Sequence, residues 1–277
     1  MVFAEYGEKF RRLREQKGLS LSFFEKLGIN KTNLSRFERG KTMMSFERID
    51  MMLQEMNVSL AEYELVLNNF VLDFQEEFLD EIEKANFEFD EEKLHALYHE
   101  ARDSGYILLA LAAKSNIEKL KKFEVDYVLQ YLKKVKAHGY FDIFLAFCVL
   151  NSLSTTEILD LMNNFEQKSR NYYGLPKYRR KILQVAYRGV YILISKGEQE
   201  KAANLMQTID SKRIISTDLY TSVLRRLSIG LFDYFFVSQT SGLAELDTAL
   251  GVFSYLDRTN LAHYYRKRCE EIGVIFP

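Results

Sequence analysis

Apolar residues recur at helical spacing from the start of the chain. Ala4 to Lys17 reads as an amphipathic helix with Phe10 and Leu13 inward, and Gly18 stops it. Ser20 is placed to N-cap a second short helix whose apolar side is Leu21, Phe24 and Leu27. Gly28 supplies the positive φ of a tight turn. Ile29 then points into the core and Asn30 caps a third helix. In that helix Leu34 and Phe37 share one face, and Lys31, Thr32, Asn33, Ser35 and Arg36 occupy the others. Gly40 ends it. Ser45 caps a fourth helix in which Ile49, Leu53 and Met56 close the core, and Val58 to Tyr63 begins a fifth.

The pattern continues beyond this head. Phe70, Phe74, Phe78 and Ile82 recur every four residues along the acidic stretch Asp73 to Glu92, as in an amphipathic helix with a charged outer face. Helices are then predicted over 91–103, 105–115, 116–122, 124–137, 140–150, 154–170, 175–195, 198–208, 216–236, 241–256 and 258–272. Asp103-Ser104-Gly105, His138-Gly139, Ser195-Lys196-Gly197 and Ser241-Gly242 mark turns between them. Helix pairs spaced roughly 35 to 45 residues apart indicate a degenerate tetratricopeptide-like solenoid, with a compact irregular helical domain as the alternative. Lys196-Gly197-Glu198 followed by Lys201-Ala202 resembles the start of a repeat's second helix. The expected fold class is all-α. The expected domains are a five-helix head over 1–65, a linker over 66–73 and a helical repeat domain over 74–277.

Composition supports this reading. Of 277 residues 47% are hydrophobic, and only 2 Pro and 13 Gly interrupt the chain, so helix breakers are scarce. The 21 Phe and 17 Tyr need interior space or a binding groove. A net charge of -1 hides an asymmetry: residues 1–48 carry 11 Lys/Arg against 6 Glu, a balance of +5, which leaves -6 for the rest. A small basic head on an acidic body suits a nucleic-acid reader joined to another function. Glu5, Glu8, Lys9 and Arg11 interrupt any signal-peptide core, and the apolar run Ile143 to Leu150 is too short to cross a bilayer, so a cytoplasmic chain with no membrane partner is expected. The lone Cys148 and Cys269 read as buried, inert thiols rather than a disulfide.

The chain carries no phosphate-binding loop, dinucleotide turn, serine elbow or cysteine–histidine ligand spacing, which argues against an enzyme. His95 and His99 sit four apart on a helix but lack a third ligand, so no metal and no cofactor are expected.

The third helix has what a groove-reading helix needs: apolar anchors behind, polar donors and acceptors at its N-terminal end. The head resembles the Xre/Cro-type helix-turn-helix family over residues 7 to about 63. The resemblance rests on Gly7-x-x-Phe10-x-x-Leu13-Arg14, Gly18-Leu19-Ser20, Leu34-Ser35-Arg36-Phe37-Glu38-Arg39-Gly40 and Asn57-Val58-Ser59-Leu60. It implies a structural ion pair between Arg14 and Glu38 that locks the first helix to the end of the third. It implies base reading by Lys31, Thr32 and Asn33, a base or phosphate contact by Arg36 beside Ser35, and phosphate contacts by Arg11, Arg12 and Lys41. Leu21 departs from a family Gln that often touches DNA, and Glu25 from a small Ala. A lone head binds weakly, and two half-sites about one helical turn (~34 Å) apart imply a dimer.

A solenoid offers a concave surface on which polar and aromatic residues can hold an extended peptide. Asn151, Tyr187, Arg188, Tyr191, Tyr220, Arg225 and Arg226 lie within or beside apolar helices and are the candidates for that surface. Core packing of the tyrosines, capping by Asn151 and a bond from Arg225 or Arg226 to Asp233 are the structural alternatives. With the Arg11-Arg12-Leu13-Arg14 run and about 200 helical residues behind the head, the full chain is similar to the Rgg/MutR regulators. That resemblance implies a homodimer that binds double-stranded promoter DNA and a short signalling peptide, with RNA polymerase as a further candidate partner. A regulator sensing another ligand or none, and a helical-repeat protein-interaction scaffold, remain the alternatives.

Overall fold

The structure, a computed structural model, describes residues 4–70, 74–211 and 218–277. The part of the expected linker over 71–73 and the start of the helix expected over 216–236 lie outside the described residues. The chain divides into two compact units, Met1–Glu77 and Phe78–Pro277. Every regular element among the described residues is helical.

The first unit contains α1 (Ala4–Gln16), a 3₁₀ helix (Leu21–Leu27), α2 (Lys31–Glu38), α3 (Phe46–Glu55), α4 (Leu60–Leu67) and the start of α5 (Phe74–Glu88). Phe10, Phe24, Leu34, Phe37, Met52 and Leu53 are fully buried at its centre. The Phe10 ring packs at 5.7 Å from Phe37 and 6.4 Å from Tyr63, both edge-on. Gly7 decides how closely α1 and α2 approach: a Cβ there would stand 1.8 Å from the Phe37 carbonyl oxygen.

Capping differs from the expectation at two serines. Asn30 does cap α2, its Oδ1 accepting from the Thr32 and Asn33 amides. Ser20 makes no cap bond; its hydroxyl instead pairs with Ser22 at 2.9 Å, and the segment it precedes winds as 3₁₀ rather than α. Ser45 caps nothing with its side chain. The cap that reads most fully is Ser59, which forms a reciprocal box with Glu62 at the start of α4. Phe70 lies outside α5, in a positive-φ position and 69% exposed, so the inward stripe begins at Phe78 and Ile82.

The second unit continues α5 and adds α6 (Glu91–Asp103), α7 (Ile107–Lys114), α8 (Lys122–Lys134), α9 (Tyr140–Val149), α10 (Thr155–Ser169), α11 (Pro176–Ser195), α12 (Gln199–Ser211), α13 (Leu219–Phe236), α14 (Gln239–Tyr255) and α15 (Thr259–Glu271). The sequential pairs α6–α7, α8–α9, α10–α11, α11–α12, α12–α13, α13–α14 and α14–α15 pack together, and α7, α9, α11 and α13 also touch one another in series. That second set of contacts makes two layers over this stretch: α7, α9, α11 and α13 form one row and the helices paired with them the other, as in a helical solenoid. At the end of the chain α15 meets α5, where Asn86 Nδ2 donates to the Tyr264 hydroxyl at 3.1 Å.

Residues 116–122 do not form the expected helix. The Ser115 hydroxyl and the Asn116 amide both bond the Ala112 carbonyl at 2.8 Å, ending α7, and the chain then runs to α8 with the Leu120 amide held by Ser152 at 3.0 Å. Gly242 is not a turn but the first turn of α14, where a Cβ would lie 2.3 Å from the Tyr234 backbone nitrogen. Cys148 and Cys269 are free and buried, and burial pushes both thiols up to about 12.

Glu157 joins a cap to a long-range pair. It closes a box with Ser154 at the start of α10 and accepts from Lys122 of α8 at 2.7 Å. The Lys122 ammonium, then the Ser154 amide and hydroxyl, hold this carboxyl at about 2 rather than its ordinary 4.5. A depressed folded-state value stabilises the fold above the unfolded value and is lost as pH falls through the folded one. Glu157→Gln is therefore expected to destabilise the protein at pH 7 by about 1 kcal/mol after solvent screening. The gap to the parent, measured by denaturant titration, should narrow as pH falls from 4.5 toward 2.

Candidate functional site

The polar surface of α2 is formed as its sequence requires. Lys31, Thr32, Asn33 and Arg36 are exposed, Ser35 is half-buried, and Leu34, Phe37 and Glu38 face inward. Arg12 on α1 and Lys41 after α2 are also exposed. Among the described residues none of Arg12, Lys31, Arg36 and Lys41 is committed to an ion pair, so these cations are available to an anionic partner. Arg11 is tied to Glu15 on its own helix at 2.7 Å, which partly neutralises it. Arg39 bonds back to the Ser35 carbonyl at 3.1 Å. Leu21 and Glu25 sit on the 3₁₀ turn, Leu21 half-buried and Glu25 exposed.

Arg14 and Glu38 lie behind this surface. Arg14 Nε and Nη2 donate to the two Glu38 oxygens at 2.6 and 2.8 Å, and Nη1 donates to the Leu19 carbonyl at 2.6 Å. Both side chains are almost fully covered, at 8% and 4% exposure. The carboxylate beside it raises the guanidinium's already high pKa. The pair thus ties α1, the loop before the 3₁₀ turn and the end of α2 together.

The second unit contains a cavity of about 580 Å³. Of the residues proposed for a peptide, Asn151, Tyr187, Arg188 and Tyr191 line it. Asn151 follows α9 and its Oδ1 accepts from Arg188 Nε at 3.3 Å, while the guanidinium lies 4.5 Å from the Phe147 ring centre. Tyr191 donates to the Arg268 carbonyl at 2.7 Å, and burial raises its phenol. Tyr220 stands behind the wall rather than in it, its hydroxyl 3.1 Å from Gln184 Nε2 and 2.6 Å from the Tyr265 hydroxyl. Arg225 and Arg226 are elsewhere. They pair with Asp210 at 2.5 Å and Glu245 at 2.6 Å, not with Asp233. The reason is helical phase: Leu224, Leu227, Ser228 and Leu231 are the face of α13 toward the cavity, and the two arginines point to other sides.

Other polar groups of the cavity wall are not among the sequence candidates. Gln184, Asn86, Tyr264, Tyr265 and Arg268 also line the cavity. Lys181, 3% exposed, pairs with Glu83 at 2.6 Å, and Gln184 Nε2 donates to the same Glu83 oxygen at 3.2 Å. Arg268 bonds Glu271 at 2.8 Å and Asn86 at 3.3 Å. The signal for Gln184 was present, because it shares the phase of Arg188, Tyr191 and Ser195 on α11. No local signal marks Asn86 or Arg268, which come from α5 and α15.

A helix-turn-helix head and a layered helical body with an open cavity define a transcriptional regulator. Residues 10–63 match the helix-turn-helix family, and residues 72–267 match the C-terminal domain of the HTH-type transcriptional regulator Rgg. The chain belongs to the Rgg family. Its fold is similar to that of the Streptococcus dysgalactiae SHP pheromone receptor Rgg2, at 20% identity and a TM-score of 0.78 over 96% of this chain and 99% of that one. A protein from Listeria monocytogenes EGD-e aligns with a TM-score of 0.81 at 14% identity, covering 98% of this chain and 97% of its own. PrgX in its complex with cCF10 aligns with a TM-score of 0.68 at 14% identity, over 97% and 92%. No helix among the described residues is long and apolar enough to cross a membrane.

Proposed function

We propose that the cavity of the second unit receives a short signalling peptide, and that its occupancy controls how two copies of the head engage promoter DNA. The observation that carries this is the cavity itself: about 580 Å³ lined by Asn151, Arg188, Gln184 and Tyr191 among apolar walls. Its volume lies within the ~300–1,000 Å³ of pockets that enclose a ligand. Amide and guanidinium side chains on such walls suit a chain of amides. Two of the similar folds are described as pheromone receptors, one of them in a peptide pheromone complex.

In this reading residues 1–65 read DNA, 66–73 connect, and 74–277 bind the peptide and dimerise. Lys31, Thr32, Asn33, Ser35 and Arg36 meet bases or phosphates, with Arg11, Arg12 and Lys41 on phosphates. A homodimer places two such helices on half-sites ~34 Å apart. Beside a promoter that dimer is also placed to touch RNA polymerase. The peptide acts by binding one arrangement of the dimer better than the other, and moving a balance from about 1:99 to 99:1 needs about 5.5 kcal/mol of differential affinity.

The test is binding of the purified full chain to its own upstream DNA, with and without short synthetic peptides. Arg36→Ala is expected to weaken DNA binding about tenfold or more while circular dichroism is unchanged, because an exposed arginine without an ion pair adds little to the fold. Unchanged affinity would remove α2 from the DNA surface. Asn151→Ala should weaken the response to a peptide that acts on the parent. Arg226→Ala, which lies outside the cavity, should respond as the parent does. If Asn151→Ala and the parent have the same peptide dose–response, the cavity is not the peptide site.

A further inference from the structure

The inner wall of the cavity holds one acceptor and one donor whose orientations are fixed and whose partners are missing. Gln184 is 6% exposed, and its Oε1 is buried without a hydrogen-bond partner. A carboxamide can be turned over, but this one cannot be without loss. Its Nε2 donates to the Glu83 carboxylate at 3.2 Å, and an oxygen placed there would face an oxygen anion. Glu83 is in turn held by the buried Lys181 ammonium at 2.6 Å. The chain Lys181, Glu83, Gln184 therefore sets the Gln184 carbonyl oxygen as the free group.

Arg268 is the complement. Its Nη1 is engaged by Glu271 at 2.8 Å and its Nη2 by Asn86 at 3.3 Å, while its Nε is buried without an acceptor. The guanidinium is also held in place by the Tyr264 ring, 5.0 Å from its centre. Both residues line the same cavity. An unmet buried acceptor and an unmet buried donor each cost free energy, and a ligand that supplies both partners recovers that cost.

We infer that this inner wall is an amide subsite: Gln184 Oε1 accepts from a ligand N–H, and Arg268 Nε donates to a ligand C=O. The inference rests on the proposal that the cavity binds a peptide, and it names the group the peptide must bring. That group is a backbone amide or the carboxamide of an Asn or Gln side chain. A carboxylate satisfies Arg268 but sets an anion against the Gln184 carbonyl. An ester or ketone leaves Gln184 unmet.

Small probes test this without knowing the peptide. The full-length protein is titrated with N-methylacetamide, acetamide and methyl acetate, and the Gln184 side-chain NH₂ resonance, assigned with Gln184→Leu, is followed by NMR. A saturable shift is expected with at least one amide and not with methyl acetate. Response to N-methylacetamide identifies a backbone amide as the occupant, and response to acetamide alone identifies a side-chain carboxamide. Arg268→Lys, which keeps a cation near Glu271 and removes the Nε donor, should weaken the amide about tenfold. Thermal melting of both variants checks that they are folded. The subsite is overturned if neither amide saturates, if methyl acetate shifts the resonance as the amides do, or if folded Arg268→Lys binds as the parent does. Peptide response in the DNA assay is read separately, so a peptide receptor without this subsite and an amide subsite without a peptide give different results.

Discussion

Glu38→Ala is expected to destabilise the head by about 3 kcal/mol or more, a large share of the about 5–15 kcal/mol that holds a domain folded. The cause is the group left behind. Arg14 is 8% exposed and gives two of its nitrogens to Glu38, at 2.6 and 2.8 Å. Without the carboxylate a guanidinium that cannot deprotonate stays buried, bonded only to the Leu19 carbonyl and brushed by Glu15 at 3.5 Å. Arg14→Ala should cost a similar amount by stranding the carboxylate. Replacing both, as Arg14→Met with Glu38→Leu, should recover most of the loss, because a buried pair contributes little net energy against a hydrophobic isostere. Hydrogen exchange of the α1 and α2 amides is the measurement, since the two compact units need not unfold together. Equal protection in parent and Glu38→Ala would show that the pair is dispensable. DNA affinity should follow protection here, unlike in Arg36→Ala, which touches no part of the core.

The head was largely legible because its signals are local. Asn30 caps, Leu34 and Phe37 anchor, and Gly40 turns within a dozen residues. Gly7 belonged to the recognised pattern, but its reason is tertiary: the Phe37 carbonyl occupies the place of a side chain. Ser20 and Ser45 stand where caps belong, yet position alone does not aim a hydroxyl. In the body the helices were readable from apolar spacing. The end of α7 was not, because Ser115 and Asn116 stop it by side-chain bonds rather than by Gly or Pro. Periodicity also limits what can be said of a cavity. Tyr187, Arg188 and Tyr191 lie close together on α11, so the three line the cavity together. Arg225 and Arg226 have the chemistry to hold a peptide but not the helical phase, and α13 turns them away from the cavity toward Asp210 and Glu245. Asn86 and Arg268 meet across 182 residues, a separation that no local pattern encodes.

Glu83→Ala should produce a loss of similar size in the second unit, and with a different consequence. Lys181 is 4% exposed in its side chain, and Glu83 is its partner at 2.6 Å. Its ammonium also lies 4.6 Å from the Phe144 ring centre and 5.4 Å from that of Phe147. Those rings soften the loss of the carboxylate but do not replace it, so about 3 kcal/mol is expected, read by denaturant titration of the parent and the variant. Lys181→Met with Glu83→Leu should return most of that stability, because a methionine fills the same space against the two rings. It should not return the orientation of Gln184. Without an anion to hold its NH₂, the carboxamide keeps only Tyr220 at 3.1 Å, a hydroxyl that accepts or donates equally well. The free oxygen then no longer points one way, and a ligand N–H loses a fixed acceptor. The double variant should therefore melt close to the parent and yet bind N-methylacetamide several-fold more weakly. A double variant that is both stable and unimpaired in amide binding would mean that Glu83 does nothing beyond neutralising Lys181. Reduced binding in a stable protein would show that the buried ion pair, invisible in the local sequence, sets the chemistry of the cavity wall.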